Sequence, residues 1–79
     1  MTDSLEHKII EVIAKAINVS SSDLNIKTGV GDIPDWDSLG HTTIIASLEE
    51  EFDIVFDIEE ALDCETVEDM VDILGEKIS

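Results

Sequence analysis

The stretch Asp35-Trp36-Asp37-Ser38-Leu39-Gly40 marks the point where a turn-rich segment gives way to a helical pattern. Beyond it, apolar residues recur every three or four positions as far as Phe52, which predicts a helix from Ser38 to about Phe52. Ser38 then occupies the first helical position, with its hydroxyl at the surface. Unpaired backbone N–H groups and the helix dipole favour a phosphate group at such a position.

Three further helices are predicted, one before this helix and two after it. The first runs from about residue 4 to 18, a short one covers Ile58 to Leu62, and the last runs from Thr66 to about Lys77. Asp3 or Ser4 can cap the first, and Thr66 with Asp69 resembles a capping box. Because each main helix has one apolar stripe, we expect an all-α fold. It would be a small bundle of three main helices plus one short helix, forming a single domain over residues 1–79.

Apolar side chains define the predicted core. The inward stripe of the second helix is predicted to comprise Leu39, Thr42, Ile45, Leu48 and Phe52, with Ile44 and Ala46 on its flanks. The long connection over residues 19–37 is expected to pack down through Leu24, Ile26, Val30 and Ile33, with a short turn of helix near Ser22 to Leu24. Trp36 is expected to pack beneath this connection because of its size. The segment Ile54-Val55-Phe56 resembles a β-strand in composition, but no partner strand is apparent elsewhere in the sequence, so we expect a short connection there.

Charge restricts the classes of partner. Twenty acidic residues face four basic ones, for a net charge of −16, which argues against binding nucleic acid or an anionic membrane surface. Basic patches on other proteins are the natural complement. No apolar run approaches the roughly 20 residues of a membrane span, and the N-terminus lacks the pattern of a signal peptide. We therefore expect a cytoplasmic protein with no membrane partner.

Other reactive residues do not form a recognisable site. Cys64, the single cysteine, cannot form an intramolecular disulfide and reads as a small apolar core residue. Neither His7 nor Cys64 has partners at zinc-ligand spacing, and His41 is expected to be solvated. The aspartates beginning at Asp32 fail the EF-hand spacing. Ser38 lacks a glycine-flanked nucleophile elbow, so a hydrolase that uses Ser38 is only the third alternative. We assign no catalytic residue and no metal ligand.

Three segments together resemble the modification site and recognition helices of acyl carrier proteins. They are Asp37-Ser38-Leu39, Leu48-Glu49-Glu50-Glu51-Phe52 and Glu59-Glu60-Ala61. The resemblance covers nearly the full length of the chain. It implies that Ser38 carries 4′-phosphopantetheine, transferred from coenzyme A by a phosphopantetheinyl transferase. It also implies that the arm holds acyl groups as thioesters and that the protein itself catalyses nothing. Asp37 would assist recognition by the transferase, and Leu39 would be an exposed apolar contact for partners.

The same resemblance implies a surface that docks enzymes. These partners would be acyl-transfer and chain-building enzymes with basic patches, acting in fatty-acid, polyketide or related biosynthesis, and the carrier would be a monomer. An acidic band would form the docking surface, and its predicted docking residues are Glu49, Glu50, Asp57, Glu59 and Glu60.

Two positions depart from the commonest fatty-acid pattern. Gly40 and Thr43 stand where acidic residues are usual, and residues 33–41 look more like specialised carriers of polyketide, surface-polysaccharide or other secondary pathways. An aminoacyl carrier of the D-alanyl type is an alternative, although Leu39 rather than Phe after the serine leans against it. The alternative from another class is a small acidic interaction module without a prosthetic group.

Overall fold

Four α-helices account for most of the computed structural model, which describes residues 2–78 and side chains from Ser4 onward. Helix α1 spans Thr2–Ile17, α2 spans Ser38–Phe52, α3 spans Ile58–Asp63 and α4 spans Val67–Ile78. A 3-10 turn, Ser21–Asp23, lies in the long connection. No β-strand occurs in this described part; Gly29 and Thr66 form an isolated antiparallel bridge. The predicted all-α bundle of three main helices and one short helix is confirmed.

The three long helices surround one mainly aliphatic core. Helix α1 packs against both α2 and α4, whereas α3 lies at the edge and buries none of its side chains fully. The buried core residues are Ile9, Ile13, Ala14, Ile17, Leu24, Trp36, Ile44, Leu48, Phe56, Cys64, Val67, Met70, Val71 and Leu74. None of the helices between residues 2 and 78 combines the length and apolar character that crossing a membrane requires.

Helix α1 begins two residues before its predicted start. Either Asp3 or Ser4 was expected to cap it, but both lie inside the helix, which starts at Thr2. The side chain of Asp3 lies outside the described ones, and Ser4 is exposed. At the other end, Asn18 adopts a left-handed backbone with φ of 59°, a common way to terminate a helix.

Helix α2 has the predicted bounds but a different inward face. Ile44 and Leu48 are buried, whereas Leu39 is 77% exposed and Thr42 is also exposed. The predicted stripe was therefore wrong at its N-terminal end, because the helix faces α1 along the line through Ile44 and Leu48. Extending that line back by one turn places His41 beside the core instead of Leu39 or Thr42.

The long connection packs onto the bundle, as predicted, but not through all four expected anchors. Leu24 is buried and Ile26 and Ile33 are half-buried, whereas Val30 is exposed. Val30 instead contributes its backbone N–H, which donates to the carbonyl oxygen of Glu65 at 2.9 Å. The predicted short turn is confirmed one residue earlier, at Ser21–Asp23.

The last two helices follow their local sequence signals. Helix α3 covers the predicted Ile58 to Leu62 and one residue more. Before α4, the Thr66 side chain accepts a hydrogen bond from the Asp69 N–H at 3.2 Å, and the Asp69 carboxylate accepts one from the Thr66 N–H at 3.3 Å. This reciprocal pair confirms the capping box with Asp in place of Glu or Gln.

Candidate functional site

Ser38 is the first residue of α2, and its side chain is exposed. The residue that caps the helix is Asp37: its backbone is extended and its Oδ1 accepts a hydrogen bond from the Gly40 N–H at 2.8 Å. A helix leaves its first N–H groups without intrahelical partners, and at α2 these include the N–H groups of Ser38 and Leu39. A free hydroxyl therefore lies beside backbone donors at the positive end of the helix dipole.

Gly40 explains one departure of the sequence from the usual acidic pattern. A Cβ atom built at this position would clash with the carbonyl oxygen of Asp35 and would lie 3.2 Å from Cγ2 of Ile17. The connection before Ser38 thus passes so close to the first turn of α2 that a side chain at position 40 has no room. Glycine here is a packing requirement of the segment that presents Ser38.

Trp36 anchors the same segment from within the core. Its side chain is 0% exposed, which confirms the prediction that it packs beneath the connection. The Trp36 Nε1–H donates to Nδ1 of His41 at 3.0 Å, and the two rings stack with centroids 6.2 Å apart. Because Nδ1 accepts this bond, the neutral imidazole carries its hydrogen on Nε2.

His41 is half-buried, so the prediction that it is solvated was wrong. Its Nε2 lies 3.4 Å from the carbonyl oxygen of Ala61 in α3. The physical reason is the orientation of α2: the face that carries Ile44 and Leu48 also turns position 41 toward the connection and α3. The sequence contains the two partners Trp36 and His41 five residues apart, but that spacing alone did not reveal their contact.

A mainly apolar cleft lies between α2 and α3. Its volume is about 360 Å³, and it is lined by His41, Thr42, Ile45, Ala46, Glu49, Ile58, Ala61 and Leu62. Thr42 lies one helical turn from Ser38 and donates its hydroxyl hydrogen to the Ser38 carbonyl oxygen at 3.1 Å. Residues at i, i+4 and i+7 share a helix face. The face of α2 that begins at the exposed Ser38 hydroxyl therefore continues through Thr42 to Ile45, which lines the cleft.

The predicted docking carboxylates fall into two groups. Glu50, Asp57 and Glu59 are exposed. Glu49 and Glu60 instead make contacts within the chain: Glu49 Oε2 accepts a hydrogen bond from the Phe56 N–H at 2.8 Å, and Glu60 Oε1 lies 2.8 Å from Lys77 Nζ. Leu39 is exposed near the start of α2, as the resemblance implied.

The Glu60 contacts shift the acidity of both partners. The pKa of Glu60 is lowered, first by the hydrogen bond from the Asp57 backbone N–H and then by Lys77. The pKa of Lys77 is raised, chiefly by its hydrogen bond to Glu60. Sequence reasoning assigned no role to Lys77, because no local pattern links it to a residue on a different helix.

Cys64 lies in the core, as predicted, and is 0% exposed. Burial in apolar surroundings raises the pKa of its thiol to about 12, and the nearby carboxylates of Asp69 and Glu60 add to the effect. Among residues 2–78, no group of three or more His, Cys, Asp or Glu side chains is placed to hold a metal ion.

We predict that Cys64 resists alkylation in the folded protein. Thiolate is the reactive species, and the raised pKa and burial of Cys64 together suppress its attack on iodoacetamide at mildly alkaline pH. Intact mass should show no adduct under native conditions and one adduct in denaturant. Rapid modification of the folded protein, while glutathione reacts at its usual rate, would contradict this assignment.

Comparisons with known proteins agree with this geometry. Residues 7–74 match the family model for a phosphopantetheine attachment site. The chain is also 30% identical over 77 residues to an acyl carrier protein of Petrotoga mobilis (strain DSM 10674 / SJ95), across 98% of this chain and 91% of that relative. The matched range reaches from α1 to α4 and contains Ser38, the cleft and α3.

Proposed function

We propose that Ser38 is the attachment residue of this chain, which belongs to the acyl carrier protein family and carries covalent 4′-phosphopantetheine. The observation that supports Ser38 is its exposed hydroxyl at the first position of α2, beside N–H groups that a helix leaves unpaired. A phosphodiester formed there lies in a favourable field. Asp37 does not compete for those amides, because its carboxylate is already bonded to the Gly40 N–H.

The chain's own residues then present and shelter the cargo. When bound, the prosthetic group supplies a thiol that holds an acyl chain as a thioester. Ser38 fixes the arm beside the opening of the cleft, and Ile45, Ile58 and Leu62 offer apolar surface to the chain. A flexible tether raises the effective concentration of the acyl group at the active site of each partner. Acyl carrier proteins are carriers and not catalysts, and no catalytic residue is needed here.

The partners of this site are a phosphopantetheinyl transferase and cytoplasmic acyl-transfer and chain-building enzymes that present basic patches. The net charge of −16 favours their encounter with the carrier. Gly40 is required by packing, so the support for a specialised acyl pathway over bulk fatty-acid synthesis comes from Thr43, which stands in α2 where an acidic residue is usual. The carrier acts as a monomer that each enzyme engages in turn.

The test is modification in vitro. The purified chain is incubated with coenzyme A and a broad-specificity phosphopantetheinyl transferase, and intact mass and peptide mapping follow. A gain of one phosphopantetheine on the peptide containing Ser38 supports the proposal. A folded protein that gains nothing would favour an acidic interaction module instead, and a modified peptide elsewhere would overturn the assignment of Ser38.

Charge reversal at Glu50 should slow partner-dependent steps. Glu50 is exposed and makes no side-chain hydrogen bond to the residues that the structure describes, unlike Glu49. Glu50→Lys therefore tests docking without disturbing the connection before α3. We expect slower loading by the transferase, with a larger defect at low salt, because surface charges are screened within about 10 Å at 0.1 M salt.

The matched control for this prediction is Asp72→Lys. Asp72 is an exposed residue of α4, so its replacement makes the same change in net charge away from α2. Initial loading rates of both variants are compared across a salt series. If the two variants slow loading equally, the effect belongs to overall charge and Glu50 is not part of a docking surface.

A further inference from the structure

Helix α3 is the least anchored element of the bundle. It has six residues and buries no side chain fully, and helices this short do not persist without outside support. Apart from the packing of Ala61, which is half-buried against the core, the position of α3 depends on contacts at its two ends. Since α3 forms one wall of the cleft through Ile58, Ala61 and Leu62, whatever holds α3 also sets the width of the cleft.

Charged side chains hold the N-terminal end. Glu49 in α2 accepts a hydrogen bond from the N–H of Phe56, whose side chain is buried just before α3. Lys77 in α4 pairs with Glu60 at 2.8 Å, and its Nζ lies 5.8 Å from the centroid of the Phe56 ring. Elements on both sides of α3 therefore fix its beginning.

The C-terminal end is followed directly by the buried Cys64 and is also contacted by the side chain of His41. The last carbonyls of a helix lack intrahelical donors, and Ala61 is one of these residues because α3 stops at Asp63 and the Cys64 N–H bonds to Glu60. His41 Nε2 faces the Ala61 carbonyl oxygen at 3.4 Å. A histidine that donates to the last carbonyls of a helix acts as a C-terminal cap, here from a neighbouring helix.

Trp36 determines which nitrogen of the His41 imidazole faces Ala61 as the donor. Its buried indole N–H donates to Nδ1 of His41, which leaves Nε2 as the nitrogen that carries the hydrogen toward Ala61. The imidazole therefore links three parts of the site: the connection that presents Ser38, helix α2 and the free end of α3. The contact to Ala61 is the longest of these links, so it is the one that opens most easily.

We propose that His41 is a positioning residue that holds the C-terminal end of α3 over the cleft, and that acyl cargo enters the cleft as the contact between His41 and Ala61 opens. Only the second half of this inference, the entry of acyl cargo, rests on the proposed carrier function. The contact itself is a property of the chain without its arm. His41 thereby sets how far α3 moves and how much acyl chain the cleft admits.

The first half is tested on the protein before loading, by amide hydrogen exchange and by NMR of the imidazole. Wild-type His41 should show the Nε2–H tautomer and a hydrogen-bonded Trp36 indole N–H. His41→Phe keeps an aromatic ring but removes both hydrogen bonds, of which only the one to Ala61 reaches α3. Exchange in residues 58–63 should therefore accelerate about three- to tenfold, the range expected for one hydrogen bond, while exchange in α4 is unchanged.

Two variants separate positioning from general packing. His41→Gln retains an acceptor and a donor in one side chain, so exchange in α3 should return toward the wild-type rate. His7→Phe replaces the other histidine, which is exposed on α1 and pairs with Glu11, and should leave α3 unaffected. Equal acceleration in all helices of His41→Phe, no rescue by glutamine, or the Nδ1–H tautomer would overturn the role of His41.

The second half uses loaded protein bearing acyl chains of increasing length. Exchange in residues 58–63 should rise with chain length in the wild type, and in His41→Phe it should be high already without cargo. If the cargo leaves α3 exchange unchanged in the wild type, entry through this contact is wrong. Failure of loading, seen as no gain in mass, would refute the carrier function while leaving the exchange results on the unloaded protein valid.

Discussion

Replacing Ser38 by alanine is expected to abolish loading of the phosphopantetheine arm while leaving the fold essentially intact. The variant lacks the oxygen that accepts the phosphoryl group, so no arm should be detected by intact mass. Stability should change by about 0.5 kcal/mol or less, as is usual for an exposed side chain, because the Ser38 side chain makes no hydrogen bond among the described residues.

The neighbouring residue provides the matched control. Asp37 caps α2, so Asp37→Ala should lower the free energy of unfolding by about 1 kcal/mol while retaining the Ser38 hydroxyl and some loading. Chemical denaturation measures the first effect and intact mass the second. An arm on Ser38→Ala, or a loss of stability equal to that of Asp37→Ala, would show that the roles of the two residues are assigned wrongly.

Sequence reasoning placed the helices well where their ends are locally determined. The start of α2 follows from turn residues before Ser38, and the start of α4 follows from Thr66 and Asp69, whose side chains satisfy each other's backbone N–H groups. Such signals act over three or four residues, so they can be recognised without knowledge of the tertiary structure. The placement of Ser38 at the first position of α2 was predictable for the same reason.

The rotation of α2 could not be predicted in the same way. Its sequence offers two overlapping apolar stripes, one through Leu39 and Ile45 and one through Ile44 and Leu48. Packing against α1 selects the second. The capping residue was similarly ambiguous, because Asp37 and Ser38 are adjacent and both residue types cap helices well.

The contacts that hold α3 depend on distant parts of the chain. Lys77 meets Glu60 across seventeen positions, and His41 meets Ala61 across twenty. No spacing rule connects such pairs, and a sequence alone gives no reason to prefer one acidic partner of Lys77 over another. The position of Ser38 at the start of α2 was therefore predictable from the local sequence, whereas the cleft and the contacts that support it were not.

Introducing a side chain at Gly40 should destabilise the protein despite the higher helix propensity of alanine. In Gly40→Ala the new Cβ meets the backbone carbonyl of Asp35 and the side chain of Ile17. The backbone of the connection must move, since a carbonyl cannot rotate away as a flexible side chain can. Overpacking of this kind costs about 1–3 kcal/mol, and the displaced connection should also slow loading at Ser38, measured by denaturation and by initial loading rate.

Gly75→Ala is the control that isolates the clash. Gly75 lies in α4, and its nearest neighbour to a new Cβ is Leu5 Cδ2 at an ordinary 3.9 Å. The same substitution should therefore stabilise the protein by about 0.5–1 kcal/mol. Opposite signs at the two glycines would show that Gly40 is required by the connection that presents Ser38. If Gly40→Ala were as stable as Gly75→Ala, packing would not explain the missing acidic residue, and partner choice would become its explanation.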